Sequence, residues 1–553
     1  MTALLLVLLP LGGGLLAGLA SCWGPQRPRQ VSLLFLGLWL SLLAVIGVDA
    51  GTAAGRWALA YQAPWIPWLG ASLHLVIDGL GLIMLGLTAL LGAIGVAVSR
   101  RDAGDRPGTF YFCYLATLAG LAAVFAAADL LVFFVAYEAM LAPMFVLIAA
   151  WGDPDQDRTG AATRFLVFTQ AGGLLLLAAI LGLVLSGDQF TLDYPGLLGR
   201  SIPAAAGTAL LACLVLAFAV KLPLVPLHGW QPGAYAAVPA SVGIVLSGVM
   251  AKTGGYGMLR LVIPLLPETA QAWAGWVMAW AAGSIVFGAV VAFSCHDLRR
   301  FIAYSGISHL GFVVLGAFAG NEWAYRGAVV QMVCHGLTAA GLFILAAWLE
   351  EHAGTRDLRL IGGLRQLAPR TGAFGLVVFM AAVGLPGLGS FVGEFLVLLG
   401  VYQVAPWLAA IACLGPVLAA AYALRLLQHV FFGPPSAPAS IADLRGWAGA
   451  AAVAVVLALL WVGWYPQPLL RLADRSRSVL AAPASPRRPG GPRGHSGAGM
   501  PPHTGAMPDH SAAGTAAGAV PQHPAAEAPG GAVPQHPPAA AHQGHGADQG
   551  DDR

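Results

Sequence analysis

The sequence predicts an all-α polytopic membrane protein with about 14 transmembrane helices. Its composition, its regularly spaced apolar runs and two related helix interruptions indicate this fold class. Of 553 residues, 58% are hydrophobic and only 10% are charged, whereas about a quarter of the residues are charged in an ordinary soluble domain. So few charges exclude a soluble enzyme, a nucleic-acid binder or a disordered scaffold for most of the chain. The formal net charge of +3 is too small to indicate a polyanionic partner.

The apolar runs have the length that a membrane requires, because a helix needs about 20 apolar residues to cross the hydrocarbon core. Fourteen such runs follow one another along the chain, at 2–22, 31–49, 73–98, 110–127, 129–151, 163–186, 207–230, 239–265, 273–294, 301–319, 325–349, 373–399, 403–430 and 447–465. We therefore expect fourteen transmembrane helices, numbered here in this order.

Two of these helices are predicted to be broken. Val220-Lys221-Leu222-Pro223 interrupts helix 7, and Val383-Gly384-Leu385-Pro386 interrupts helix 12, because proline cannot donate to the helical hydrogen-bond ladder. The interruptions are five helices apart, so a five-helix repeat would place its second copy upside down. Paired broken helices in inverted repeats are typical of ion-moving membrane proteins.

The same spacing gives a domain organisation. We predict five segments: helices 1–3 in residues 1–109, a first five-helix repeat in 110–265, a second, inverted five-helix repeat in 266–430, helix 14 with its flank in 431–480, and a disordered tail in 481–553. The tail is rich in Pro, Ala, Gly and His, and such a composition cannot bury a core. Its seven histidines could buffer a metal weakly, but a passive linker or interaction tail is the favoured interpretation.

Arginine placement predicts the orientation. Arginines concentrate after helices 1, 3, 5, 9 and 11, and the positive-inside rule places these loops in the cytoplasm. We therefore expect a multi-pass protein of the cell inner (cytoplasmic) membrane with both termini in the periplasm, although the arginines after helix 14 argue against this. The six cysteines show no CxxC spacing and are interpreted as small buried hydrophobic residues.

Ionisable side chains lie within the apolar runs, where each costs about 2.5–3.5 kcal/mol on insertion scales. The five central ones are Glu138, Lys221, Lys252, His335 and Glu394. Two further histidines, His228 and His309, lie nearer to helix ends.

A single buried Glu–Lys pair could simply tie two helices together, but a series of titratable groups over five helices favours a proton relay. Burial favours the neutral form of such groups, whereas a nearby opposite charge favours the charged form. Separating two unit charges from 4 to 8 Å changes their interaction by about 2 kcal/mol at an effective dielectric constant of 20. Opening and closing a Glu138–Lys221 ion pair would therefore switch Lys221 between releasing and holding its proton.

The sequence shows no Walker A loop, no dinucleotide fingerprint and no metal-ligand cluster within the predicted helices. We therefore expect this chain to move ions with energy that is supplied elsewhere, and we assign it no cofactor or metal of its own.

The residues around these charges resemble the antiporter-like membrane subunits of respiratory complex I, the NADH–quinone oxidoreductase. The resemblance runs from about Leu73 to Gly433 and rests on several ordered blocks: His74-Leu-Val-Ile-Asp78, Tyr137-Glu138-Ala-Met-Leu-Ala-Pro-Met144, Phe168-Thr-Gln-Ala-Gly172, Lys221-Leu-Pro-Leu-Val-Pro-Leu-His-Gly-Trp230, Arg300-Phe-Ile-Ala-Tyr-Ser-Gly-Ile-Ser-His-Leu-Gly311, Gln331-Met-Val-Cys-His335 and Gly389-Ser-Phe-Val-Gly-Glu-Phe395.

The resemblance implies a role for each position. Glu138 would pair with Lys221 on the broken helix 7, Lys252 would lie on the middle hydrophilic axis, and His309 and His335 would extend that axis. Glu394 would pass protons to the exit, and His228 is a further candidate for the relay. The resemblance also implies neighbouring L-, N- and K-type membrane subunits and lipid, with FMN, iron–sulfur clusters and quinone in partner subunits and no nucleic acid.

One stretch departs from the family pattern. After Trp230 the family usually continues Leu-Pro-Asp-Ala-His, whereas this chain has Gln231-Pro232-Gly233-Ala234-Tyr235. The acid and the histidine are both missing, which puts the proton access route beside helix 7 in question.

Four functions remain open from the sequence, of which a relative of the membrane-bound hydrogenases is one. The leading one is a proton-pumping module of complex I that is driven by redox chemistry in other subunits. A Mrp-type sodium/proton antiporter subunit uses related broken helices and lysines, and a diverged paralogue could be purely structural and not pump.

Overall fold

The computed structural model describes residues 1–52, 58–187, 189–435 and 442–481. We number the helices in chain order, with the two broken helices each carrying one number. Their bounds are α1 Thr2–Trp23, α2 Arg27–Thr52, α3 Gly79–Val98, α4 Pro107–Ala126, α5 Leu130–Trp151, α6 Arg158–Leu185, α7 Ala204–Lys221 and Gln231–Ala237, α8 Ala240–Leu265, α9 Pro267–Ser294, α10 Leu298–Phe318, α11 Glu322–Ala353, α12 Pro369–Val383 and Gly389–Val404, α13 Pro406–Phe431, α14 Gly446–Trp464 and α15 Gln467–Ala481. One-turn helices at Tyr194–Leu197 and Leu364–Leu367 lie in connecting segments.

The helices α1–α14 confirm the predicted all-α membrane fold. Within the described residues, thirteen helices are long and apolar enough to cross a membrane, and the two shorter halves of α12 complete the set of fourteen. The helices of the interior are α8, α10 and α11, of which α8 and α11 have every residue of their most apolar stretch buried. Lys252, His309 and His335 lie on these three helices, so the centre of the bundle holds three of the seven predicted relay residues.

A β-hairpin precedes α3, and here the sequence prediction was wrong. β1 (Leu59–Ile66) pairs antiparallel with β2 (Ala71–Ile77), whereas the third apolar run was predicted to be helical from residue 73. The run continues unbroken from strand into helix, so apolarity alone does not mark the boundary. Asp78 marks it, because its carboxylate accepts a hydrogen bond from the Gly81 amide at 2.8 Å and caps α3.

The break in α7 is confirmed, and its backbone is satisfied by side chains. The first half ends at Lys221 and the second half begins at Gln231. The indole of Trp230 donates to the Val220 carbonyl at 2.9 Å, the indole of Trp280 donates to the Val225 carbonyl at 2.5 Å, and the Ser284 hydroxyl accepts from the Val225 amide at 3.2 Å. Non-helical backbone at membrane depth is tolerated only with such partners.

The break in α12 is also confirmed and ends its first half with a left-handed glycine. Gly384 has φ +74°, and its amide bonds to the Ala381 carbonyl at 3.1 Å. The Leu385 amide reaches back to the Met380 carbonyl at 3.1 Å. This wrapped C-terminus satisfies carbonyls that the interruption would otherwise leave free.

Ion pairs confirm that the arginine-rich loops share one end of the bundle. Arg356, in the loop after α11, contacts Asp297 after α9 at 2.6 Å and Asp153 after α5 at 3.2 Å. Arg101, after α3, contacts Glu351 of α11 at 2.9 Å. The compartment that this end faces stays a prediction, as do the limits of the two five-helix repeats. The predicted tail, apart from Ala481 in α15, lies outside the described residues.

Candidate functional site

Lys221 is the last residue of the first half of α7, and its side chain is buried in the bundle interior beside the break. Only 1% of the residue's surface is exposed to solvent. Its ammonium nitrogen, Nζ, lies 4.7 Å from the ring centroid of Tyr137 and 5.9 Å from that of Phe165, and it makes no hydrogen bond to the part of the chain that the structure describes. The aromatic faces therefore hold the cation in place of a carboxylate.

Glu138 lies on α5, beside Lys221 but not in contact with it. Its Oε1 has no hydrogen-bond partner among the described residues, and Gln170 of α6 is its polar neighbour. Gly173 of α6 gives the carboxylate its space, because a Cβ at that position would collide with Oε1. The expected Glu138–Lys221 ion pair is open in this structure, although the two charges interact across the gap.

Lys252 lies at the centre of α8 and is completely buried. Its Nζ is 2.6 Å from His335 Nδ1 on α11 and donates to the Ser247 carbonyl at 2.5 Å. A π-helical turn over Leu246–Met250, in which the Ala251 amide bonds to Leu246 at 3.2 Å, shifts the local backbone hydrogen bonds. Such turns are frequent at functional sites. Because the Ala251 amide bonds to Leu246 in place of Ser247, the Ser247 carbonyl can accept a hydrogen bond from Lys252.

His309 of α10 and Glu394 of α12 form the second charged contact. The distance from His309 Nδ1 to Glu394 Oε1 is 2.8 Å, and the amide of Gln331 donates to the same oxygen at 3.2 Å. The rings of His309 and His335 have centroids 5.8 Å apart. Lys252, His335, His309 and Glu394 therefore form one row through three interior helices to the broken α12.

The broken helix also leaves space for Glu394. A Cβ on the left-handed Gly384 would lie 2.8 Å from Glu394 Oε2. Glu394 beside Gly384 thus repeats the arrangement of Glu138 beside Gly173, with a carboxylate packed against a glycine in each half of the chain.

His228 lies in the break of α7, outside the row. Its ring packs edge-on against Phe287 at 5.4 Å and Tyr304 at 6.2 Å, and its Nδ1 has no hydrogen-bond partner among the described residues. His228 therefore belongs to the same break as Lys221, and no contact among the described residues joins it to Lys252.

The sequence interpretation missed several polar residues of this interior. Gln331 lies one turn before His335 on α11, and this spacing in an apolar run was a usable signal. Gln231 and Tyr235, in the stretch that departs from the family pattern, are fully buried near the central row.

A second buried ion pair, Asp78–Arg260, was also missed. Its Nη1–Oδ2 distance is 2.7 Å, both side chains are at most 3% exposed, and the guanidinium lies 4.8 Å from the ring centroid of Tyr194. It ties α3 to α8 and lies apart from the row of titratable groups, so we interpret it as structural. Among the described residues no group of three or more His, Cys, Asp or Glu side chains could hold a metal ion.

The family model described as NADH:quinone oxidoreductase/Mrp antiporter, TM, matches residues 127–419, which include every one of the predicted relay residues. Curated relatives match over most of the chain. The NADH-quinone oxidoreductase subunit M of Escherichia coli K12 is 39% identical over 491 residues, which are 86% of this chain and 96% of the relative. The chain belongs to the subunit M family. The corresponding subunit of Pseudomonas aeruginosa PAO1 is 40% identical over 490 residues, covering 85% of this chain and 96% of the relative.

Solved structures show the same fold. A chain of respiratory complex I from Thermus thermophilus with bound NADH is 35% identical with a TM-score of 0.78, covering 87% of this chain and 100% of that chain. A chain of the Mrp complex from Dietzia sp. is 25% identical with a TM-score of 0.75, covering 86% of this chain and 52% of that chain. The higher identity and the full coverage favour the complex I relatives.

Proposed function

We propose that this subunit M family member translocates protons in the membrane arm of an NADH–quinone oxidoreductase. The observation that carries the proposal is the row of Lys252, His335, His309 and Glu394, with contacts of 2.6 Å and 2.8 Å at its two ends. Energy would come from electron transfer between NADH and quinone in other subunits, with no redox step in this chain.

The row can pass a proton because each of its two close contacts is a hydrogen bond in which the proton can move from one group to the other. A 2.6 Å contact between Lys252 Nζ and His335 Nδ1 needs one nitrogen to donate and the other to accept. The His309–Glu394 contact likewise exists as an ion pair or as a neutral pair. A proton moved into one contact changes the charge seen by the next, and the low local dielectric makes that change large.

In this proposal Lys221 is the first proton holder and Glu394 is the terminal group. Glu138 controls Lys221 by approaching or leaving it, and His228 is a further group beside the break. The open pair supports this arrangement, because Lys221 is held by aromatic rings rather than locked to the carboxylate.

The proposal includes a hetero-oligomer. L-, N- and K-type membrane subunits and lipid would surround this chain, and FMN, iron–sulfur clusters and quinone would belong to partner subunits. The chain would lie in the inner membrane with both termini periplasmic and with the arginine-rich loops in the cytoplasm.

Replacement of Lys221 tests the proposal. In inverted membrane vesicles, Lys221→Ala should abolish or severely reduce NADH-driven acidification, because alanine can neither carry the proton nor form an ion pair with Glu138. Two controls report whether the complex has assembled: the rate at which NADH is oxidised with an artificial electron acceptor, and the amount of intact complex on native electrophoresis. Undiminished acidification in a fully assembled complex would contradict the relay and favour a non-pumping paralogue.

The Mrp-type sodium/proton antiporter is the second candidate, supported by the shared fold of the Dietzia complex. Gentle detergent extraction with mass spectrometry separates the two. Flavin, iron–sulfur and quinone-site subunits in the same particle are the expected result. A particle with only small antiporter-type membrane subunits would make this chain part of an exchanger.

A further inference from the structure

A cavity opens at the end of the bundle that carries the arginine-rich loops. Its volume of about 520 Å³ lies within the range of about 300–1,000 Å³ that is usual for ligand pockets. The walls come from the last turns of α9 and α13, the α9–α10 connection and the loop after α11. Its charged and aromatic residues are Phe293, His296, Arg359, Tyr422, Arg425 and His429. We call it the α9–α13 cavity.

The α9–α13 cavity lies at the depth where two membrane helices end. α9 ends at Ser294 and α13 ends at Phe431, and the two helices pack against each other. Val290 and Val417, which precede the cavity on the two helices, are exposed apolar side chains. Because lipid headgroups begin where the hydrocarbon core ends, a ligand in this cavity has the headgroup layer around it and hydrocarbon next to it.

Two arginines make the α9–α13 cavity positively charged. The guanidinium carbon of Arg425 lies 5.5 Å from the ring centroid of Phe293, and no carboxylate among the described residues forms an ion pair with it. Arg359 pairs with Asp357 at 2.6 Å, outside the lining of the cavity. No Asp or Glu is among the described residues that line the cavity. The cavity therefore favours an anionic ligand.

The most deeply buried aromatic residue of the lining is Tyr422. It lies one turn before Arg425, is 2% exposed and packs edge-on against the ring of Phe301 at 5.1 Å. Its hydroxyl has no hydrogen-bond partner among the described residues, although buried polar groups nearly always have one. A ligand with oxygen atoms can supply that partner, whereas a hydrocarbon chain alone cannot.

The walls of the cavity are held together by contacts within the chain. His429 Nε2 donates to the Arg359 carbonyl at 3.0 Å and so joins α13 to the loop after α11. The last turn of α13, Leu427–Phe431, is π-helical, and such turns are frequent at functional sites. The guanidinium of Arg365 lies 5.6 Å from the ring centroid of Phe432, which places a third arginine beside the cavity. The site is therefore preformed, and preorganisation lowers the cost of binding.

We propose that the α9–α13 cavity binds the phosphate headgroup of an anionic phospholipid. Arg425 and Arg359 bind the phosphate oxygens, for which the planar guanidinium is well suited, and the acyl chains follow the exposed apolar faces of α9 and α13. Basic pockets between transmembrane helices at the cytoplasmic side are typical sites for anionic headgroups, and in the proposed orientation this cavity faces the cytoplasmic leaflet. The inference goes beyond the proposed function, because it needs the fold and the charges of the cavity but no proton transfer.

Photolabelling of the purified, assembled complex tests the site. The complex is placed in nanodiscs of phosphatidylcholine that contain a small fraction of one photoreactive lipid, either phosphatidylglycerol or phosphatidylcholine, with the reactive group near the headgroup. Peptides that contain residues 292–296 and 422–434 are then analysed by mass spectrometry. Phosphatidylglycerol should label them about tenfold more than phosphatidylcholine does, which corresponds to about 1.4 kcal/mol. Equal labelling by the two lipids would overturn the proposal.

Charge variants sharpen the test. Arg425→Gln should lower phosphatidylglycerol labelling about fivefold, which corresponds to about 1 kcal/mol, the usual contribution of one basic residue near an anionic lipid surface. The double variant Arg359→Gln/Arg425→Gln should lower it to the level of phosphatidylcholine. Arg425→Lys keeps the charge and should retain most of the labelling. Equal losses in the Lys and Gln variants would show that Arg425 only packs against Phe293, and would overturn the headgroup site.

Arg27→Gln is the matched control. Arg27 is an exposed arginine at the same end of the bundle, at the start of α2 and outside the cavity, so its variant should be labelled like the unchanged chain. Arg359 and Arg425 are also exposed, and native electrophoresis should show normal assembly of their variants.

Excess inorganic phosphate distinguishes the two sources of a phosphate group. It should leave the labelling unchanged, because the acyl chains hold the phospholipid in the membrane. Loss of the label would show a site for free phosphate and overturn the phospholipid. The acidification measured for Lys221→Ala tests the proposed function separately, so either proposal can fail while the other stands.

Discussion

Each half of the site pairs a carboxylate with a basic group, but the pair is separated in the first half and in contact in the second. In the first half, Glu138 and Lys221 are separated, and the lysine rests on aromatic rings. In the second half, His309 and Glu394 are closed at 2.8 Å, with Gln331 bonded to the same carboxylate oxygen. Each half has a carboxylate packed against a glycine and a helix that breaks beside a titratable or charged group. The fold therefore accommodates both an open and a closed pair at once.

The difference between the halves indicates how little movement the proposed switch requires. Moving a pair from 4 to 8 Å changes the interaction by about 2 kcal/mol at an effective dielectric constant of 20. We expect a side-chain rearrangement to cover that distance without a change in helix packing. The backbone beside Lys221 is held by side-chain partners, and the backbone beside Glu394 is held by a wrapped helix end. We expect such a rearrangement to be easiest at these two breaks, where no regular helical ladder has to be disturbed.

The largest expected effects come from the two carboxylates. Glu138→Gln and Glu394→Gln should each nearly abolish NADH-driven acidification, because the amide cannot change its charge. The shorter Asp should distinguish the halves. Glu138→Asp should retain part of the activity, since that pair is open, whereas Glu394→Asp should lose more because it withdraws from both His309 and Gln331. Equal acidification rates in the two Asp variants would contradict the proposed difference between the open and the closed pair.

The two glycines should give intermediate effects. Gly173→Ala should displace the Glu138 carboxylate from its rotamer at a cost of about 1 kcal/mol, or about fivefold in acidification rate. Gly384→Ala should cost more, because an alanine at φ +74° is strained and its Cβ also meets Glu394 Oε2. Gly283→Ala in α9, with no atom within 4 Å of the new methyl group, is the matched control and should leave the acidification rate unchanged, because alanine only favours the helix over glycine.

The smallest effect on proton transfer is expected at Arg260. Arg260→Leu leaves Asp78 buried without its ion-pair partner, a change that typically costs about 3–5 kcal/mol of stability. The amount of assembled complex should fall, while protons pumped per electron in the assembled fraction stay unchanged. Asp78→Asn in the same chain should restore assembly in part. A lower proton-to-electron ratio in the assembled fraction would show that this pair belongs to the relay.

The fold could be predicted from the sequence because its signals are local. Runs of about 20 apolar residues mark membrane helices, and the Pro223 and Pro386 interruptions mark the two broken ones. The β-hairpin could not be predicted in the same way, because residues 73–77 are as apolar as the helix that follows. The boundary depends on pairing with β1, which is not visible in the hydropathy of β2.

The candidate residues of the proposed relay could be identified from the sequence, but the contacts between them could not. A charge in an apolar run identifies Lys252 or Glu394 without a structure, whereas the contact between Lys252 and His335 joins residues 83 positions apart. Arg260 shows the limit most clearly. Its partner, Asp78, is 182 residues away and also acts as a helix cap. The sequence around neither residue therefore indicates that the two form an ion pair. Whether a pair is open or closed depends on helix packing and has no sequence signal.

The most direct test of the account compares Lys221→Ala with Glu394→Gln in proton-to-electron ratio, measured in vesicles of equal complex content. If the two halves form one continuous relay through Lys252, His335 and His309, the ratio should fall by the same amount in both variants and no further in the double variant. A normal ratio in either single variant, or an additional loss in the double variant, would show that the halves work independently and would contradict the account.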